Sequence, residues 1–181
     1  MHRTYRASAR GAKSSPEEVI AAFRERCAEV MPLDFEAEPR AARCLDRGAT
    51  LTGRLPLRGN FLMRVVEVAP RRVTLATVEG HPISGIVRFA ADQVGGEVGF
   101  VVDVYARASN WLDRSAIALF GGALENLNWS SVARRGARLT RGHVARRVEK
   151  RVEKLRGREA EQVGGAIMDL VRSVERPATL S

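Results

Sequence analysis

Three histidines, two cysteines and one acid–phenol–base triplet are the residues of this 181-residue chain whose types could do chemistry. His2, His81 and His143 are scattered, and none stands with Cys, Asp or Glu at the spacing of a metal site, whereas zinc takes three or four such ligands. Gly80-His81-Pro82 reads as a turn, because Pro fixes φ and Gly permits a positive one. Cys27 and Cys44 are too few for a disulfide framework and have no Cys-x-x-Cys spacing. They read as two reduced, half-buried thiols in a reducing cytoplasm. Asp103, Tyr105 and Arg107 share one strand face at i, i+2 and i+4. Lining a cavity they would recognise a polar ligand, with Arg107 for an anionic head group. The opposite face is the more apolar one and claims the core, so the triplet reads as a solvated convex face with cross-strand pairs.

No Gly-x-Ser-x-Gly, P-loop or Gly-x-Gly-x-x-Gly occurs. Without a paired acid and base, a nucleophile or a metal set, no catalytic residue, metal or cofactor is assigned. Enzymatic activity is left open, since a cyclase working by cavity shape alone would leave no such mark.

The charge is concentrated. Of the net +9, the whole excess lies between Arg134 and Arg158, where eleven Arg or Lys face two Glu. A nearly neutral body joined to a basic segment points to an anionic partner for the segment. Its face is Arg134, Arg135, Arg138, Arg146, Arg147, Lys150, Arg151 and Lys154. The stripe Val144, Val148, Val152 and Leu155 suits packing on a partner helix or a second copy. No aromatic follows Trp129 to stack on bases or anchor in lipid. Helix-mediated assembly therefore ranks first for this segment, an anionic surface second and specific nucleic acid third.

These residues must be carried by elements. Ser14-Ser15-Pro16-Glu17-Glu18 starts a helix, with a Ser cap, Pro at its first position and acids in its first turn. Val19, Ile20, Phe23, Cys27 and Val30 give it one apolar side, and it ends before Pro32. A loop through Asp34–Pro39 follows. Strands are expected at Ala49–Arg54, Asn60–Val68, Arg72–Val78, Ser84–Ala90 and Glu97–Arg107, joined by short Gly- and Pro-bearing turns, with Gly95-Gly96 as a hairpin. Thr4–Ala9 adds a first edge strand or stays loose. A helical stripe runs from Trp111 through Leu127 to Val132, with Gly121-Gly122 allowing a bend. Helices are expected again over His143–Leu155 and Glu159–Val174.

The order predicts an α+β chain: an antiparallel sheet of five to six strands around a long C-terminal helix, followed by a helical C-terminal extension. The parts are a basic N-terminal segment or edge strand at 1–13, the sheet-and-helix domain at 14–139, and the basic helical extension at 140–181. No run of 18 apolar residues occurs, and no apolar stretch follows the basic N-terminus. No signal peptide or transmembrane helix is expected, and the location expected is cytoplasmic.

From about Glu17 to Arg135 the chain resembles an uncharacterised bacterial and plant family, a domain of unknown function in the START and birch-allergen-like helix-grip superfamily. The residues that carry this are Arg64-Val65-Val66-Glu67-Val68, Gly80-His81-Pro82 with Gly85, Arg88-Phe89, and the run Val98 to Arg114 with Val98, Phe100, Val102, Arg107, Trp111-Leu112 and Arg114. It departs at Ile86, where the family has an acidic residue, and at Val101, where the family has a charged one. The resemblance implies a helix-grip fold whose relatives bind lipids, sterols, polyketides or hormones between sheet and helix, a few of them being cyclases or hydrolases. The expected function is non-catalytic binding of a hydrophobic small molecule. Its pocket would be lined by Leu75, Thr77, Phe89, Phe100, Val102, Val104, Trp111 and Phe120. The alternative is a scaffold or interaction protein acting through the basic C-terminal helices.

Overall fold

The computed structural model describes residues 2–31, 35–37, 45–55, 59–77, 83–108, 122–154 and 157–175. Helix α1 (Pro16–Glu25) begins as the sequence predicts. The Ser15 hydroxyl accepts the Glu18 backbone N–H at 3.2 Å, the Glu18 carboxylate accepts the Ser15 N–H at 2.8 Å, and Pro16 occupies the first turn. The chain kinks at Arg26 into the short α2 (Cys27–Val30), so Val19, Ile20, Phe23, Cys27 and Val30 stay buried along one side.

Nine strands of the described chain form one antiparallel sheet. They are β1 (His2–Arg10), β2 (Phe35–Ala37), β3 (Thr50–Leu55), β4 (Gly59–Ala69), β5 (Arg72–Thr77), β6 (Ile83–Val94), β7 (Glu97–Ala108), β8 (His143–Val144) and β9 (Glu149–Glu153). The spatial order is β2-β3-β4-β5-β6-β7-β1-β8, with β9 also paired to β1. A two-residue turn joins β6 to β7 with Val94 opposite Glu97. Gly95 and Gly96 both take positive φ there, as a tight hairpin of this twist requires. A bulge between Val65 and Glu67 turns the Glu67 carboxylate onto the hydroxyl of Thr74 at 2.6 Å and onto Arg72 at 2.7 Å. Burial pushes that carboxyl up, but these two donors and the charge of Arg88 outweigh it and hold it below its ordinary value.

Helix α3 (Gly122–Arg138) lies over β1 and β7 and buries Val132, Ala133 and Ala137 against them. The expected sheet around a long helix is therefore what the chain forms. A last helix, α4 (Gly157–Glu175), sits on the opposite face of the sheet. There Leu170 and Val171 pack on Val66, Ala76 and Ile86, and Arg47 donates to the Ser173 hydroxyl at 3.0 Å.

Four expectations are corrected. The helix over His143–Leu155 does not form; β8 and β9 pair with β1 instead. A spacing of four fits one helical turn and also two strand repeats, so the valine stripe could not separate the two. Its β-branched residues favour the strand. For the same reason β1 is interior to the sheet and not an edge. The loop expected at Asp34–Pro39 contains β2, three residues paired to β3 and too short to show a period. Cys27 is 2% exposed and disulfide-bonded, so it is not a reduced thiol. The argument from cysteine usage to a reducing compartment falls with it. Cys44 lies outside the described residues. No described helix is long and apolar enough to cross a membrane.

Candidate functional site

The site is the sheet face beneath α3. Alternation along β7 aims Val98, Phe100, Val102 and Val104 at the helix, and β5 and β6 add Val73, Leu75, Val87, Phe89 and Ala91 in register. Phe100 is flanked by Ala7 of β1 and Ala91 of β6, so a large ring stands between two small neighbours. Directly above it is Gly136 of α3, where a Cβ would fall 2.3 Å from the Phe100 ring. The helix approaches this closely because position 136 carries no side chain.

Around that contact the helices insert two more rings. Phe23 of α1 meets Phe89 at 4.8 Å between centroids and Phe100 edge-on at 5.3 Å, and Trp129 of α3 lies 6.3 Å from Phe89. One end of the space between sheet and helix is thus filled by aromatic packing. Toward the other end lie Leu75, Val87, Val104 and Thr77. The Thr77 hydroxyl accepts the Gly85 N–H at 3.0 Å, which ties the ends of β5 and β6 together.

The described polar side chains of this inner face include the Thr77 hydroxyl, the phenol of Tyr5, Arg3 opposite Val104 and Lys150 opposite Tyr5. The buried Ser8 and Thr74 are on the outer face, and Thr140 closes α3. No described group of three or more His, Cys, Asp or Glu side chains could hold a metal ion. The arrangement can pack against the rings of an apolar molecule; no described strand residue of this face carries a carboxylate or imidazole, and its cations are Arg3 and Lys150 at the β1–β9 side.

Five of the eight expected pocket residues are gathered here as buried side chains: Leu75, Phe89, Phe100, Val102 and Val104. Thr77 is half-buried at the rim, and Trp111 and Phe120 lie outside the described residues. Sequence reasoning did not include Phe23, Trp129 or Gly136. Phe23 stood in the apolar stripe of α1, but a helical stripe does not say which strand it will meet.

The outer face carries the polar triplet as cross-strand pairs. The His2 ring stacks on Tyr105 at 4.0 Å, and its two nitrogens lie 3.1 Å from Asp103 and 3.2 Å from Glu153. The side chain of Arg107 is outside what is described. Arg6 reaches across Gly99 to Asp92 at 2.6 Å, and a Cβ at Gly99 would collide with both.

The basic face is not one helix surface. Arg134 and Arg138 are exposed on the last turns of α3, while Arg135 turns inward and donates to the Met31 carbonyl at 3.1 Å. Arg146, Arg147, Lys150, Arg151 and Lys154 are exposed along the β8–β9 segment. Arg151 pairs with Glu153 at 2.6 Å, and the Lys150 ammonium stands 6.0 Å from the ring centre of Tyr5. Val144 and Val148 pack against the chain's own core, which removes them from any partner-binding stripe; Val152 is 50% exposed.

No protein-family model matches the chain, and no curated protein matches it. Solved structures do. A hypothetical protein of Helicobacter pylori is 8% identical, with 76% of this chain and 86% of that one covered at a TM-score of 0.55. A norcoclaurine synthase of Thalictrum flavum is 6% identical, with 77% and 94% covered at 0.54. An aromatase/cyclase of a Streptomyces species is 12% identical, with 78% and 93% covered at 0.52. At such identities the likeness is one of fold. The chain has the helix-grip fold of birch-allergen-like proteins, an antiparallel sheet closed around a long helix.

Proposed function

We propose that the chain binds a hydrophobic small molecule between the sheet and α3 and releases it unchanged. The observation that carries this reading is the inner face itself. Leu75, Phe89, Phe100, Val102 and Val104 present a continuous apolar surface, bounded on its β1 side by Tyr5 and Arg3. Phe23 and Trp129 plug the end near Gly136, so the ligand would lie toward Leu75, Thr77 and Val104. Membership of the uncharacterised bacterial and plant family belongs to the same proposal, as does a cytoplasmic location. Two of the similar structures are by name enzymes, and conversion of the bound molecule is the competing reading.

Function through the basic extension keeps the charge concentration as its support but loses the helical valine stripe.

Mass spectrometry of the purified protein, first native and then after solvent extraction, tests the proposal. A lipophilic compound at one per chain, recovered with unchanged mass after incubation and absent from a folded Val102→Trp variant, is the expected result. A compound that changes mass on incubation overturns the non-catalytic part. A clean apoprotein mass together with no saturable uptake of the neutral dye Nile red overturns the binding itself.

A further inference from the structure

A groove of about 350 Å³ opens between the last turns of α3 and the segment that enters and leaves β8. It is lined by Arg134, Arg138, Val144, Ala145 and Arg146. Its floor is fixed: Val144 pairs with Ala9 in the sheet, Ala145 donates its N–H to the Ser8 carbonyl at 2.9 Å, and Val144 packs on the core. Its two sides are tied at one point, where Arg134 donates to the Arg146 carbonyl across the groove at 3.4 Å.

These three guanidinium groups have no counter-charge among the described residues; Arg141 and Arg147 share that lack, and the common groove is what sets the three apart. Arg10 has Glu97 and Arg6 has Asp92, each at 2.6 Å, and Glu153 is taken up by His2 and Arg151. Among the described residues no carboxylate lies within ion-pair reach of Arg134, Arg138 or Arg146. Like charges at i and i+4 on a helix oppose its formation by a few tenths of a kcal/mol. The negative end of the α3 dipole offsets part of that for Arg138, and about half a charge is all it offers. The dipole gives no account of Arg146, which arrives from another segment at the same groove.

We propose that this groove is a binding site for a compact phosphate-bearing ligand, a phosphate monoester or diphosphate. Guanidinium forks match phosphate oxygens two at a time, and three of them around one concavity neutralise a doubly or triply charged group. The volume lies at the small end of ligand sites, with room for the phosphate and a small substituent over Val144 and Ala145. A concave floor of two small apolar residues without a stacking ring favours such a group over a nucleic-acid strand.

Calorimetric titration of the full chain with inorganic pyrophosphate tests this. One site per chain is expected, with affinity about ten-fold or more weaker in the exposed double variant Arg134→Gln/Arg138→Gln. The control Arg147→Gln/Lys154→Gln removes the same charge outside the groove and should weaken binding less than about three-fold, by general screening alone. Cosedimentation with phosphatidylcholine vesicles, with and without phosphatidic acid, separates the sources. Vesicle binding that needs phosphatidic acid and is competed by pyrophosphate assigns the site to a lipid headgroup, and pyrophosphate binding without cosedimentation assigns it to a soluble phosphate ester. Equal weakening in both double variants, or no saturable binding of pyrophosphate or of either vesicle, overturns the proposal.

Discussion

Gly136 decides how near α3 can lie to the sheet, and Phe100 is what it approaches. An added methyl would sit 2.3 Å from Cδ1 of the ring and 2.5 Å from two of its other carbons. Phe100 cannot slide aside, because Ala7, Ala91, Phe23 and Phe89 pack around it. The helix must therefore rise or the ring must leave its rotamer, and overpacking of this kind costs about 1–3 kcal/mol. Replacing Gly by Ala inside a helix would by itself stabilise by up to about 1 kcal/mol, which leaves a net cost of up to about 2 kcal/mol. Gly136→Ala should lower the melting temperature by a few degrees, since about 1 kcal/mol moves a domain of this size by roughly 2–4 °C. Gly136→Ala combined with Phe100→Leu should recover part of the loss. A single variant at least as stable as the parent would mean that the helix stands farther from the sheet than these distances say.

The element scale shows which sequence signals carry meaning. Short turns at regular spacing, with clean alternation in β7, placed β3 to β7 to within a few residues. They also put Leu75, Phe89, Phe100, Val102 and Val104 on a common face. Alternation says nothing of which helix residues cover that face, and so Phe23 and Trp129 were not legible. The basic segment failed for a different reason. Val144, Val148 and Val152 recur every four residues, a multiple of the strand period as well as close to the helical one. What decided the outcome was remote: β1 has a free side beyond β7, and β8 and β9 close it. An edge rich in Lys, Arg and Glu is also a poor template for another chain. A chain ended after Lys154 keeps this cover and should stay folded, in the same oligomeric state as the full chain. Ended after Arg141, it exposes the backbone N–H and C=O groups of β1 and loses the Glu153–His2 contact. That shorter chain should unfold at lower temperature and self-associate. Light scattering after size exclusion reads both, and two truncated proteins that behave alike would mean β8 and β9 do not protect the edge.

At the scale of the whole molecule, the sheet is covered on both sides but unequally. The inner face carries the large core under α1 and α3. The outer face has the small Val66, Ala76 and Ile86 cluster under α4, and for the rest polar pairs. Most of the apolar burial that holds the fold is therefore on the side where the ligand is proposed, and α1 with α2 forms part of that side's wall. The Cys27 disulfide sits in that wall, 2% exposed at the end of the α1–α2 stripe. A cross-link of this kind acts on the unfolded chain, and removing a native one typically costs about 2–5 kcal/mol. For a domain of this size that corresponds to a fall of roughly 4–20 °C in melting temperature. Cys27→Ser should show such a fall, and the parent protein measured in a strong thiol reductant should match it, while the variant itself should not respond to the reductant. This pairing separates loss of the bond from any disturbance caused by the serine hydroxyl. If reductant leaves the parent's melting temperature unchanged and the protein alkylates fully without it, both cysteines are free thiols. The reducing compartment expected from cysteine usage would then stand. If the predicted fall is observed, the fold depends on a bond that a reducing cytoplasm works against, and the cytoplasmic location loses its physical support.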